Sequence, residues 1–367
     1  METKLVNIKS TNYSAALLIR SRLEFEGIET YLANVNLIQS DIATGVKILV
    51  KDSDAKRALQ IIREAEKKRP GKEVAKSQPI TLIICPVDFS KDSLNASFYA
   101  LQLAAKIKAE VRFLHACYSI QPMAHVFPDA FSYQISMGNI FNDQKLNVKD
   151  GMKKFLVLIK QYIKDEKLPD IKITSTIIFE DPLTAIPRYC KKFKSAMLVM
   201  GTKGIGRSRN LLAGSITLRT IEKVSQPVLV VPLAYRASPI RHLNNMYITD
   251  FDDRDFSSFR KLMSIISMFE VDIKCIHIQK EKEKISEIML EELTEHIKNV
   301  YSDYNVSCQL IGSKDISKSI NRFVTTNKIN LISLSEQKRN FLFQLFSKSI
   351  IKEILFKVDV PMLVFKY

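Results

Sequence analysis

The sequence predicts an α/β fold with two doubly wound parallel sheets, preceded by a small α+β domain. Three observations support this prediction. From Ile80 onwards, short apolar strands alternate with amphipathic helices. The second half of that region repeats the pattern of the first. Residues 1–68 instead follow the order strand, helix, strand, strand, helix. We therefore expect a small domain at 1–68, a linker at 69–78, and two α/β domains at 79–235 and 243–367.

Composition is that of an ordinary globular protein, with 46% hydrophobic and 26% charged residues. The net charge of +16 fits either an anionic partner or lysines that coat solvent-facing surfaces. The basic residues are scattered along the sequence, so we favour the second interpretation and expect no nucleic-acid partner. No signal peptide and no apolar run of ~20 residues is present, which predicts a cytoplasmic protein without a membrane segment.

The cysteines and histidines predict no disulfide framework and no metal site. The five cysteines are odd in number and widely spaced, which fits reduced thiols. The five histidines have no metal-binding spacing.

The N-terminal region, 1–68, is predicted to form a βαββα unit. Its elements are strands at Lys4–Lys9, Ile28–Val35 and Val46–Lys51, a helix at Tyr13–Phe25 stopped by Gly27, and a final helix after Ser53-Asp54. Residues 67–78 are charged and contain Pro70 and Gly71, which is typical of a linker.

The first α/β domain is predicted to have five strands. A strand opens at Ile80 and ends near Pro86-Val87-Asp88-Phe89-Ser90. Asp181-Pro182 has the residue types of a helix N-cap and first helical position. The remaining strands are predicted at Val111–Ala116, Ile171–Phe179, Met197–Met200 and Pro227–Val231. The remaining helices are one through Leu94, Phe98, Leu101 and Ala105 and one at Leu146–Ile163. Residues 118–142 are predicted to be a long irregular insert that contains Phe127, Phe131, Tyr133 and Phe141.

Two constant offsets reveal an internal repeat. Residues 247–251 lie over residues 85–89 at a shift of 162, and His277 lies over His115 at the same shift. A shift of 134 then relates Asp315 to Asp181, Arg322 to Arg188, Ser349 to Ser215 and Pro361 to Pro227. The change from the larger shift to the smaller one falls where the first copy carries its insert. Two offsets joined by one deletion indicate a repeat rather than a coincidence.

Four of the ten glycines lie between 201 and 214, directly after a buried strand and before a helix that we expect to begin at Ile216. The spacing is Gly201, two residues, Gly204, nine residues, Gly214, then Ser215. No GxxxxGK[ST] is present, and Arg209 breaks the dinucleotide fingerprint. Glycine lets a ligand approach the main chain, and a helix N-terminus favours phosphate. A glycine-rich turn with no ligand remains the alternative.

This spacing resembles the G-x2-G-x9-G-[S/T] motif of ATP-binding members of the universal stress protein family. The resemblance implies strand order 3-2-1-4-5, binding of ATP or AMP with Mg²⁺ carried by the phosphates, and a stress-response or regulatory role in bacteria. The first unit resembles small bacterial signal-transducing domains and ferredoxin-like folds. A packing or dimerisation role for that unit stays open beside sensing.

The strand order would bring three segments together at the carboxyl edge of the sheet. Asp88 would accept hydrogen bonds from base or ribose, or act only as a turn residue that caps the next helix. The backbone at Ala116 would flank adenine, although a larger aliphatic residue is expected there.

The nucleotide-binding residues that we predict are Pro86, Asp88, Ala116, Met200, Gly201, Lys203, Gly204, Gly214, Ser215 and Ile216. We assign no catalytic residue and no protein metal ligand. The insert aromatics would cover the nucleotide or pack on the sheet edge.

Three functions therefore stay open. The first is an ATP- or AMP-binding regulatory protein. The second is a slow ATPase or other nucleotide-consuming enzyme that uses Asp88 or a residue of the insert, and the third is a ligand-free structural or interaction protein. The second repeat has Ser335, Lys338 and Lys348 in place of the glycines, which predicts one nucleotide per chain. In the resembled family the last strands commonly pair across a two-fold axis. We therefore expect the two repeats to form an intrachain pseudo-dimer, with homo-oligomerisation left open.

Overall fold

The computed structural model describes residues 5–33, 44–67, 79–118, 131–202, 215–236, 240–249, 253–279, 303–312, 315–336 and 358–366, with single positions between 287 and 301. The linker 69–78 lies outside the described residues. Within the described residues, no helix combines the length and the apolar character needed to cross a membrane.

The N-terminal domain is a three-stranded antiparallel sheet with two helices. Strand order is β1-β3-β2, and, among the described residues, its apolar core contains only residues of this domain. Gly27 has φ of 78°, a left-handed conformation that suits glycine and ends the first helix. The predicted βαββα unit is confirmed. Its elements are β1 (Leu5–Asn12), α1 (Tyr13–Phe25), β2 (Thr30–Ala33), β3 (Thr44–Lys51) and α2 (Ala55–Lys67).

The first α/β half has five parallel strands in the order β6-β5-β4-β7-β8, which is 3-2-1-4-5 in chain order, as predicted. The three strands β4, β7 and β8 are apolar along their length, because inner strands of a parallel sheet are covered on both faces, whereas β5 and β6 include polar residues. The elements are β4 (Leu82–Pro86), α3 (Lys91–Ile107), β5 (Glu110–Cys117), α4 (Phe131–Asp165), β6 (Ile173–Phe179), α5 (Pro182–Cys190), β7 (Ala196–Gly201), α6 (Ser215–Lys223) and β8 (Val228–Val231).

The second half repeats this order as β11-β10-β9-β12-β13. The described elements are β9 (His242–Ile248), α7 (Asp253–Ile266), β10 (Glu270–Gln279), β11 (Asn305–Gly312), α8 (Ile316–Thr326), β12 (Leu331–Glu336) and β13 (Met362–Lys366). The predicted fold class, two doubly wound sheets after a small α+β domain, is confirmed.

The two halves share one ten-stranded sheet. Strand β13 pairs antiparallel with β8, with Met362 opposite Val230 and Val364 opposite Val228. Both apolar layers that cover the sheet contain residues of both halves. The seam is therefore held by backbone hydrogen bonds and by a core that crosses it.

The N-cap of α5 is the one that the sequence predicts. The Asp181 carboxylate accepts a hydrogen bond from the Leu183 N–H at 3.3 Å, and Pro182 occupies the first helical position. Pro187 lies inside α5 and lacks the N–H that would bond the Leu183 carbonyl. Lys223 Nζ donates to that carbonyl at 3.3 Å, so the acceptor remains satisfied.

The predicted irregular insert at 118–142 is wrong in its second part. Helix α4 begins at Phe131, well before the predicted start at Leu146, and runs for 35 residues. The sequence from 131 to 145 has no clear apolar period, so pattern alone does not identify it. Extending an existing helix costs far less than starting one, and the stable segment after Leu146 supplies the nucleus. Residues 119–130 lie outside the described residues.

Removal of residues 1–70 should leave the ten-stranded sheet folded, because the N-terminal core contains only its own residues. We expect the shortened chain to show a cooperative thermal transition within about 2 °C of the corresponding transition in the full chain. Circular dichroism and size-exclusion chromatography check this. Expression of the shortened chain only as aggregate would contradict it.

Candidate nucleotide-binding site

The candidate site lies where the strand order reverses. Strand β4 lies between β5 and β7, with Pro86 opposite Leu114 on one side and Ile84 opposite Leu198 on the other. The chain continues from β4 into α3 and from β7 towards α6. The carboxyl ends of β4, β5 and β7 therefore meet at one edge, the usual ligand position in such sheets.

The loop after β4 is held by its own hydrogen bonds. Asp88 Oδ1 accepts from the Ser90 N–H at 3.1 Å and from the Ser90 hydroxyl at 2.5 Å. Ser90 is the N-cap of α3, since its Oγ accepts from the Ser93 N–H at 3.1 Å. The Asp88 carboxylate thus supports the cap, which is the turn role that the sequence left open beside ligand binding.

Phe89 fixes this loop from the side. It has φ of 62°, a left-handed conformation that is costly for a residue with a side chain. Its ring stacks on His115 with centroids 4.3 Å apart and contacts Phe155 at 5.9 Å. A Cβ at Gly151 of α4 would lie 3.0 Å from the Phe89 ring. Helix α4 therefore has glycine at position 151 because the Phe89 ring occupies the space that a side chain would need.

His115 has a structural role in this arrangement. Its Nδ1 lies 2.8 Å from the Val87 carbonyl oxygen and therefore carries the proton and donates. Burial lowers the pKa of His115. In the second half, His277 Nδ1 lies 2.9 Å from the Thr249 carbonyl in the same way. Each histidine ties the loop after the first strand of its half to the second strand.

Gly201 ends β7 and packs directly on α3. A Cβ there would lie 3.0 Å from the backbone carbon and oxygen of Asp92. The Gly201 carbonyl also accepts from the Thr217 hydroxyl at 2.9 Å, which connects the end of β7 to the first turn of α6. The two ends of the glycine segment are therefore held close together, and Gly201 is needed for packing whatever else it does.

On the other side of the site, α4 and α5 meet the end of β5. Gln144 of α4 donates to the Tyr118 carbonyl at 2.7 Å. The Tyr118 hydroxyl bonds to the Asp181 carboxylate, which raises the pKa of Tyr118. These contacts build a rim beside Ala116 from three different elements.

The structure describes seven of the ten predicted residues. Pro86 ends β4, Asp88 lies in the loop after it, and Ala116 is half-buried near the end of β5. Met200 is buried in a core layer, so only its backbone is available at the site. Gly201 ends β7, while Ser215 and Ile216 begin α6. Lys203, Gly204 and Gly214 lie outside the described residues.

Several site residues were missed by sequence reasoning. Ser90 could have been found, because serine directly before an amphipathic segment is a typical N-cap. Thr217 and Gly151 could not, since their partners Gly201 and Phe89 are distant in sequence and the contacts depend on the packed fold.

Comparison with protein families agrees with this geometry. The universal stress protein family model matches residues 80–232, and a model described as "Putative prokaryotic signal transducing protein" matches residues 7–66. The stretch that matches the universal stress protein model includes the strand-order reversal and the glycine segment. Among curated proteins, none matches the sequence.

Universal stress proteins are among the solved structures to which this chain is similar. One from Archaeoglobus fulgidus DSM 4304 has a TM-score of 0.53 at 14% identity, over 78% of this chain and 97% of that chain. A match over 78% of the chain extends into the second α/β half, so it supports the fold of both halves. A universal stress protein solved in complex with cAMP has a TM-score of 0.28 at 19% identity, over 42% of this chain and 98% of that chain.

Substitution of Gly151 tests the Phe89 arrangement. In most helices Gly→Ala stabilises by about 1 kcal/mol. Here Gly151→Ala should destabilise by about 1 kcal/mol, because the Phe89 ring is confined by His115 and Phe155 and cannot move freely. Thermal or urea denaturation measures the change.

The matched control places Gly151→Ala in a Phe89→Leu background. There the collision is relieved, and the alanine should stabilise. A higher melting temperature for Gly151→Ala alone would show that the ring does not constrain α4.

Proposed function

We propose that this protein is a regulatory protein that binds an adenine nucleotide, ATP or AMP, in its first α/β half. The observation that carries the proposal is the glycine segment between β7 and α6 in a universal stress protein domain. The segment begins at the end of a central strand and leads into a helix N-terminus, the combination that suits a phosphate.

The nucleoside and the phosphates of a bound nucleotide would contact different parts of the carboxyl edge of the sheet. The backbone at Ala116 and the loop at Asp88 lie on the β4–β5 side and would meet base and ribose. The N–H groups at Ser215 and Ile216 lie at the start of α6 and would meet the phosphates, together with Gly214, which directly precedes them in the sequence. Lys203 would add positive charge, and Mg²⁺ would be carried by the phosphates.

We propose a binding function rather than ATP hydrolysis. In the slow-ATPase alternative the first candidate for the base is Asp88, and a base must be free to take a proton from water. Asp88 Oδ1 accepts two hydrogen bonds from Ser90 that cap α3, which favours a positioning role. A regulatory protein needs only a change in shape or partner on binding.

We further propose that the second half is a degenerate repeat paired with the first as an intrachain pseudo-dimer. Support comes from the common strand order, the matching histidine contacts and the antiparallel pairing of β8 with β13. Ser335, Lys338 and Lys348 stand where the first half has glycines, and their side chains would fill the path of the phosphates. The second half would then serve as a partner surface.

Gly214→Val should lower nucleotide affinity by about 100-fold or more, because a β-branched side chain would separate phosphate from backbone donors worth about 1.5–3 kcal/mol each. Isothermal titration calorimetry with ATP and with AMP measures the loss.

Gly312→Val is the matched control. Gly312 ends β11, and a Cβ there meets nothing within 4 Å. This variant should bind as tightly as the unaltered chain. Equal affinity of both variants would remove the glycine segment from the site, provided that circular dichroism shows both to be folded.

A further inference from the structure

Five lysines of α4 lie on one side of the helix although the sequence scatters them. They are Lys145, Lys149, Lys153, Lys160 and Lys164, which we call the lysine face. At about 3.6 residues per turn, they fall within about 100° of arc and extend ~29 Å along the axis. All are exposed except Lys145, which is half-buried. The expectation that no element gathers the basic residues therefore does not hold for α4.

The side of α4 next to the lysine face is anchored in the core. Met152, Phe155 and Ile159 are buried in the layer that covers the sheet. The acidic residues of the helix lie beside the lysine face rather than within it. Asp150, next to the arc, pairs with Lys153 at 3.3 Å. The lysine face is therefore a straight basic row on a rigid support.

Two aliphatic side chains accompany the lysines. Leu146 is 59% exposed and Val157 is 65% exposed, and both lie at the edge of the same arc. A single exposed aliphatic residue is common on a protein surface. A pair beside a straight basic row offers both charge and apolar surface to the same partner.

We propose that the lysine face binds the surface of an anionic phospholipid bilayer. A bilayer is flat over the ~29 Å of the row, its phosphates attract lysines, and its acyl boundary takes up aliphatic side chains. The backbone of a nucleic acid would satisfy the lysines and leave Leu146 and Val157 in water. Surface binding requires no helix that spans the bilayer. This proposal does not depend on nucleotide binding.

The test is co-sedimentation of the full chain with vesicles that mix phosphatidylcholine and phosphatidylglycerol in a molar ratio of roughly two to one. We expect binding at about 0.1 M salt and little binding to pure phosphatidylcholine vesicles. Each lysine near an anionic surface contributes about fivefold to partitioning. The triple variant Lys149→Gln, Lys153→Gln and Lys160→Gln should therefore bind about 100-fold more weakly.

A control variant separates local from overall charge. The triple variant Lys106→Gln, Lys191→Gln and Lys194→Gln removes the same charge from exposed lysines outside α4, and it should change binding less than about threefold. Val157→Ser keeps the charge and should weaken vesicle binding by about tenfold through loss of apolar burial. No binding to anionic vesicles, or equal losses in the two triple variants, would overturn the proposal. So would binding that is tighter to duplex DNA and unaffected by Val157→Ser, which would assign the face to nucleic acid.

Discussion

The antiparallel pairing of β8 with β13 is the contact on which the larger domain depends. Each five-stranded half, taken alone, would expose the edge of its last strand, and an exposed apolar edge is an aggregation hazard. Val228 to Val231 and Met362 to Phe365 are buried, so these edges are apolar and must be covered. Pairing them joins the backbone and lets both core layers continue from one half into the other.

This seam allows the two halves to diverge. Asn245 and Ser333 are fully buried in the second half, where the same offsets place apolar Ile83 and Val199 in the first. Ser333 donates to Asn245 Oδ1 at 3.0 Å, so part of the polarity is compensated. A half with a more polar core, and with side chains in place of the glycines, remains useful as the element that covers β8. The first half keeps the glycines of the segment in its sequence, and in it the ends of β4 and β7 lie at the strand-order reversal.

Sequence patterns predicted the fold well because its causes are local. The alternation of apolar strands and helices predicts the α/β class, and the constant offset that relates His115 to His277 predicts the second set of parallel strands. The start of α4 was missed because residues 131–145 lack an apolar period. At the site, the glycine spacing identified the edge of the sheet. It could not show that Gly201 packs on Asp92 or that Phe89 needs Gly151, since those contacts join segments distant in the chain.

The central claim is that one chain holds one adenine nucleotide, in its first half. Native mass spectrometry of the purified full chain, followed by identification of the released small molecule, tests it most directly. The account predicts a single added mass per chain that corresponds to ATP or AMP, absent in Gly214→Val. Two nucleotides per chain, or one that persists in Gly214→Val, would contradict it, as would a chain that binds none after incubation with ATP and AMP.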